Sequence, residues 1–315
     1  MKAVILNNIT PGEKVHLQET DIPKVISGWV LIKVKGFGLN HSEQILRLNE
    51  IANDYIKKPI IPGIECVGEI VDKSDSDFKL GQKVVGLMGG MGRSYDGSYA
   101  EYTLLPKNQV FSIKSDLSWE KLAAVSETYY TAWGSLFECL KLNSKDTLLI
   151  RGATSGLGYA SIQLAKALGC KVIATTHKEE KLFLLSEAGE AILDDGSLKG
   201  KIKGVNKILE LVGPKTLRDS LKIVENGGIV CHTGVLGGVY TLDNFDPIKE
   251  IPNGVYLTGF FSNNPSQNII NDIFDYLNKY QLKPKVGKSY KFENIKDACV
   301  AQDLGKVNGK IVVTI

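Results

Sequence analysis

Between residues 152 and 158 seven residues, six of them small, Gly152-Ala153-Thr154-Ser155-Gly156-Leu157-Gly158, follow the apolar run Thr147 to Ile150 and precede a helical pattern from Tyr159 to Leu168. Small side chains at that spacing let a backbone turn approach a ligand closely and let the next helix pack tightly on a sheet. The first turn of that helix offers unpaired N–H groups and the positive end of the helix dipole, which suit a pyrophosphate. Ala160, Ile162, Leu164, Ala165 and Leu168 recur at helical spacing, Gly169 supplies a stop, and Lys171 to Thr176 reads as a second strand. Strand, glycine turn, helix and strand in that order predict a dinucleotide site.

The end of the second strand selects the dinucleotide. An NAD site places Asp or Glu there to accept hydrogen bonds from ribose hydroxyls, whereas this chain has Thr176, His177 and Lys178, with Lys181 close behind. Hydroxyl and cationic partners of this kind match a 2′-phosphate with nearly two negative charges, so the expected cofactor is NADPH. Glu179 and Glu180 dilute the local charge, and a solvated helix start is the bland alternative.

The remaining chain must position that turn. At 315 residues, 43% hydrophobic and 23% charged, it can bury a large core in two domains. A net charge of +3 is small for this length and gives no reason to invoke nucleic acid or a membrane surface. The N-terminal apolar run is too short for a signal peptide core, and no later segment approaches a membrane-spanning length, so a cytoplasmic location is the default expectation. The five cysteines, Cys66, Cys139, Cys170, Cys231 and Cys299, are scattered singly in apolar settings and read as free buried thiols.

The first hundred residues are patterned as strands: Lys2 to Leu6, Val15 to Glu19, Trp29 to Gly36, Gly63 to Asp72, Lys83 to Leu87 and Ser98 to Leu105, with one short polar helix and glycine corners between them. Such short strands predict a partly open barrel. From Trp119 the pattern becomes helical behind Ser118. After the glycine turn, strands (Ala191 to Leu193, Lys207 to Leu211, Gly228 to His232, Val255 to Phe260) alternate with helices (Glu179 to Ala188, Lys215 to Val224), the sign of a doubly wound parallel sheet. Gln267 to Tyr280 reads as a helix and the tail KIVVTI as a final strand.

These motifs in this order, with G38-L-N-H-S-E43, P62-G-I-E-C-V-G68, D96-G-S-Y-A-E-Y102, T131-A-W, E210-L-V-G213 and G309-K-I-V-V-T-I315, resemble the medium-chain dehydrogenase/reductase superfamily, and within it the zinc-independent quinone oxidoreductase branch that includes zeta-crystallin. The resemblance implies an α/β chain with a GroES-like partly open β-barrel catalytic domain over 1–118, a Rossmann doubly wound parallel-sheet domain over 119–264, a return segment over 265–315 that completes the catalytic domain, and a cleft between the two domains.

Zinc alcohol dehydrogenases of this superfamily take a Cys where this chain has Asn40, a His where it has Ile64, and a third ligand near Glu127. Ile64 cannot ligate, Asn40 is a poor zinc ligand, and the cysteine lobe of a structural zinc is missing, so no metal is expected. Without zinc to stabilise an alkoxide, the expected chemistry is conjugate hydride delivery from NADPH to a quinone or an α,β-unsaturated carbonyl compound, whose developing charge on oxygen needs only hydrogen-bond donors. Asn40, Tyr129 and Tyr130 are the leading candidates, with His41 and Tyr95 behind them. Asn40 can equally shape a turn, His41 can cap a helix, and Tyr129 and Tyr130 diverge by about 100° on a helix, so one of them belongs to the core. Where some quinone reductases of the branch carry a tyrosine, this chain has Ile45.

The resemblance also assigns nicotinamide contacts to Thr131, Gly213, Thr233, Gly234, Phe260 and Ser262, and sets Lys310 near the cofactor phosphates or, equally, in solvent. The strand Val255 to Phe261 is the expected edge of a homodimer. Two other functions stay open: a metal-free alcohol or aldehyde oxidoreductase, and a non-catalytic NADPH-binding protein with a structural or RNA-binding role.

Overall fold

A computed structural model describes residues 1–315, which divide into two compact units: Met1–Tyr130 with Ser262–Ile315, and Thr131–Phe261. The helix Trp119–Trp133, read as the start of the second domain, runs through this division, so most of it belongs to the first unit.

The first unit is organised on Trp29–Leu39, an eleven-residue strand whose apolar positions are buried almost throughout because it is hydrogen-bonded on both sides. It pairs antiparallel with Glu65–Asp72, Tyr102–Pro106 and the terminal strand Lys310–Thr314. Beyond these lie Val286–Lys291 on one side, and Lys83–Leu87 and Val110–Ser112 on the other. The sheet path stays open, giving the GroES-like partly open barrel. Val30, Ile32, Val34, Phe37 and Leu39 pack with Leu6, Leu46, Ile60, Tyr99, Phe292 and Val313 in one core, and the Phe37 and Tyr99 rings stack 4.6 Å apart. Two expected N-terminal strands shrink to the pairs Lys2–Ala3 and Gln18–Glu19. Val110–Ser112, Val286–Lys291 and the helix Ile295–Asp303 were not legible as elements.

One register of this sheet decides the chemistry below. Ile311 lies opposite Leu39 and Val312 opposite Gly38, so the antiparallel ladder carries Lys310 to the level of Asn40. Asn40 ends the ladder and opens the helix His41–Leu48, its backbone N–H donating to Glu43 Oε2 at 3.0 Å.

The second unit is a six-stranded parallel sheet in the spatial order Gly189–Leu193, Lys171–Thr176, Thr147–Arg151, Lys207–Glu210, Ile229–His232, Tyr256–Gly259. All five pairings are parallel. Chain order reverses between Thr147–Arg151 and Lys207–Glu210, the switch point at which doubly wound sheets bind dinucleotides. The helix Gly156–Leu168 begins there, and Gly169 ends it at φ 94°, as the sequence predicts. The segment Glu179–Ala188 is 3₁₀-helical rather than α-helical.

Candidate functional site

The glycine turn of the second unit is built as a cradle. Ser155 caps the helix Gly156–Leu168 by accepting the Gly158 N–H at 3.0 Å and donating to Gly152 O at 3.0 Å. Gly152 sits at φ 80°, and a Cβ on Gly158 would fall 2.4 Å from the Ala153 carbonyl oxygen, so neither position accepts a larger residue without backbone movement. Across the switch point, a Cβ on Gly213 (φ 96°) would lie 2.6 Å from Gly234 O, and one on Gly234 would lie 2.4 Å from Leu211 O. The loops after two neighbouring strands thus run backbone against backbone, as a close-fitting dinucleotide requires. The residues present fit a nicotinamide dinucleotide.

Glu210 fixes the second of those loops. Its Oε1 accepts from Val212 N, Gly213 N and Thr216 Oγ1 at 2.9–3.0 Å, and its Oε2 from Ser220 Oγ at 2.6 Å. Arg151, immediately before the turn, is fully buried. It donates to both oxygens of Asp194 at 2.8 and 2.7 Å and to Asp219 at 2.9 Å. Sequence reasoning passed over Arg151. An arginine ending a strand of buried apolar residues was the available signal, since a buried guanidinium demands carboxylate partners.

Thr176 closes the strand Lys171–Thr176, and His177, Lys178 and Lys181 come directly after it. Thr176 is buried, with Oγ1 3.3 Å from Lys178 N. The imidazole of His177 is held below its ordinary range by burial and by the positive charges of Lys178, Lys181 and Lys215, against the opposing charge of Glu180. Lys215, at the start of the helix Pro214–Ile223, was not anticipated as part of this cationic group.

At the far edge of the sheet, the chain after Trp133 widens into a π-helical turn, Gly134–Cys139. Gly134 is required there because a Cβ would sit 2.0 Å from the Phe260 ring. Ser135 Oγ donates to Thr131 O at 2.7 Å and lies 2.9 Å from Thr233 Oγ1, which brings Thr131, Thr233 and Phe260 to one place. Ser262, two residues after Phe260, is buried. It belongs to the first unit, where its hydroxyl donates to Glu127 Oε1 at 2.6 Å.

The first unit holds a buried polar cluster around Asn40. Lys310, 4% exposed, donates to Glu65 Oε1 at 2.7 Å and to Asn40 Oδ1. Asn40 Nδ2 donates to Glu65 Oε1 at 2.8 Å and to Glu43 Oε1 at 3.3 Å. Glu65 Oε2 accepts Glu127 N at 2.8 Å, and Gln302 Nε2 donates to Asn40 O at 2.7 Å. Burial above all raises the Glu43 carboxyl, the charge of Glu65 adds to this, and the ammonium of Lys310 opposes it. Lys310 is therefore neither a solvated lysine nor a free cation for a phosphate. It is the counter-ion of a buried carboxylate.

This arrangement re-sorts the expected hydrogen-bond donors. The Asn40 amide spends both N–H groups and its oxygen inside the cluster. Tyr95 donates to the Gly89 carbonyl at 3.0 Å, and burial pushes its hydroxyl up to about 12. Tyr129 and Tyr130 are each 2% exposed, so both are core, not one of the pair. His41 differs: its Nδ1 lies 2.8 Å from Gln44 Oε1, while Nε2 is enclosed without a hydrogen-bond partner in the protein.

The same cluster does not fit zinc. Ile64 is apolar, the Asn40 oxygen faces an ammonium, and no three His, Cys, Asp or Glu side chains gather where they could hold a metal ion.

Comparison with known proteins adds the following. The alcohol dehydrogenase GroES-like domain model matches residues 26–115, and the zinc-binding dehydrogenase model matches residues 156–279. The quinone oxidoreductase of Rattus norvegicus is 29% identical, across 99% of this chain and 96% of the rat protein. The solved quinone oxidoreductase of Coxiella burnetii superposes with a TM-score of 0.85 at 21% identity, covering 100% of this chain and 99% of that one. The yhdH oxidoreductase of Salmonella enterica, solved in complex with NADP, gives 0.84 at 21% identity, covering 100% of both chains. At such identities the solved structures speak for the fold alone.

Proposed function

The chain belongs to the quinone oxidoreductase-like branch of the medium-chain dehydrogenase/reductase superfamily, and from that premise we propose that it is an NADPH-dependent, zinc-independent oxidoreductase that reduces quinones or α,β-unsaturated carbonyl compounds. The observation that carries the reading is the Lys310 ammonium lodged between Asn40 and Glu65. A protein-borne cation stands beside the residue that replaces a zinc ligand of the metal-dependent relatives, which suits a reaction whose oxygen charge is delocalised and met by hydrogen bonds.

In this reading, Gly152 to Gly158, Gly213 and Gly234 take the pyrophosphate and the adjoining backbone of the cofactor, and Thr176, His177, Lys178, Lys181 and Lys215 take the 2′-phosphate. Thr131, Thr233 and Phe260 line the nicotinamide end. Bound there, a reduced nicotinamide supplies the hydride. His41 Nε2 is the group we assign to deliver the proton, since it is enclosed without a partner in the protein while the Asn40 amide and the Tyr95 hydroxyl are already committed. The edge strand Tyr256–Gly259, with Tyr256 61% exposed, supports a homodimer. No helix is long and apolar enough to cross a membrane, and a cytoplasmic site of action is part of the proposal. Light scattering that returned a monomer mass at micromolar protein would remove the dimer.

A second reading has one observation in its favour. With the Asn40 amide fully committed, the cluster also suits a protein that keeps NADPH without turnover. A metal-free alcohol oxidoreductase is separated from both by oxidation of a saturated alcohol with NADP. The deciding experiment measures NADPH oxidation by metal-analysed protein with a benzoquinone, a naphthoquinone, an enone and an aldehyde, with NADH in parallel.

A further inference from the structure

Cys139 and Cys231 are 92 positions apart by their numbers in the chain, yet the second unit brings them together. Cys139 closes the π-helical turn Gly134–Cys139, and its thiol donates to Gly259 O at 3.4 Å. Cys231 lies in the neighbouring strand, in register with Thr258, the residue before Gly259. Its sulfur is 3.4 Å from Thr233 Oγ1, which in turn is 2.9 Å from the hydroxyl of Ser135, one helical turn before Cys139. Both cysteines thus lie at the same end of the strand Tyr256–Gly259. They differ in access: Cys139 is partly exposed and Cys231 is buried.

We propose that Cys139 and Cys231 form a reversible disulfide when the protein meets a peroxide, tying the π-helical turn to the strand end that carries Thr233. The Cys139 thiolate attacks one peroxide oxygen. An S–O bond forms, the O–O bond breaks, and the departing hydroxide takes up a proton as water. The Cys231 thiolate then attacks the sulfenic sulfur, so that S–S forms, S–O breaks and a second water leaves. Two thiols lose two electrons and one hydrogen peroxide becomes two waters. Burial pushes the Cys231 thiol up to about 12, so this resolving step quickens as pH rises.

The disulfide itself is independent of the catalytic reading. Its effect on cofactor binding rests on Thr131 and Thr233 lining the nicotinamide end, because Ser135 holds both residues on the segment that the bond would pull.

The test treats the full-length protein with stoichiometric hydrogen peroxide, alkylates the remaining thiols and maps the peptides by mass. The expected result is one cross-linked pair, Cys139 with Cys231, lighter by two hydrogens, reversed by dithiothreitol and absent from both Cys139→Ser and Cys231→Ala. The exposed-site variant keeps the test informative should the buried one fold poorly. Cys139 found unmodified, carried on to sulfinic or sulfonic acid without a linked peptide, or joined to another cysteine would each overturn the proposal. Fluorescence titration with NADPH of the oxidised and reduced forms reads the consequence separately. About tenfold weaker binding in the oxidised form is the size expected from disturbing one or two polar contacts, and unchanged binding would confine the disulfide to a chemical modification.

Discussion

The ammonium of Lys310 lies 2.7 Å from Glu65 Oε1, and the two residues are 4% and 0% exposed. Glu65 opens one neighbour of the central strand, Lys310 opens the other, and Gly38 on the strand between them has no side chain because there is no room for one. A Cβ there would come within 2.0 Å of Lys310 Cε and 2.7 Å of Glu65 Oε1.

Lys310→Met leaves Glu65 buried without its cation. The expected cost is about 3–5 kcal/mol, the size typical of removing one partner of a buried pair, read as a lower denaturant midpoint. Glu65→Gln with Lys310→Met should recover part of it. A double-variant loss equal to the sum of the two single losses would show that the pair is not coupled.

Gly38→Ala tests the same packing from the other side. The lysine stem is flexible, so the expected loss is about 1–3 kcal/mol. Gly158→Ala meets the Ala153 carbonyl instead, which is backbone and cannot swing away. That variant should lose dinucleotide affinity as well as stability, and retention of full affinity would refute the cradle.

Selectivity for NADPH should follow the cations beyond Thr176. Lys178→Ala is expected to weaken NADPH by about 10- to 100-fold, the worth of one charge-assisted hydrogen bond, and to leave NADH nearly unchanged. The sign of the pH effect follows from His177. Neighbouring cations and burial hold its pKa down in the free protein, and a bound phosphate raises it. Binding therefore takes up a proton, and NADPH affinity should rise as pH falls from about 8 toward about 6, below which the phosphate itself protonates. Calorimetry in buffers of different ionisation enthalpy measures that proton. NADH should show no such uptake.

His41→Gln removes the one candidate donor with an uncommitted nitrogen. Turnover is expected to fall about 10²- to 10⁴-fold with NADPH affinity kept. Unchanged turnover would assign the proton to solvent.

The second unit was legible because its signals are local. The glycine turn, the cap at Ser155 and the stop at Gly169 are written within a few residues of the structures they make. The first unit was legible as strands but not as a site. Lys310 reaches Asn40 only through the register of two strands 270 positions apart, and no local pattern separates a buried lysine from a solvated one. The same holds for Arg151, whose carboxylates come from Asp194 and Asp219. The tyrosines failed differently. On a helix buried on most sides, a 100° separation does not force either ring outward.

The measurement closest to the central claim is NADPH oxidation by purified, metal-analysed protein against the panel of a benzoquinone, a naphthoquinone, an enone and a simple aldehyde. Turnover of a quinone or the enone, with NADPH preferred over NADH and no zinc bound, is the predicted result. Tight NADPH binding with no turnover on any of them would contradict the reductase and leave a cofactor-holding protein in its place.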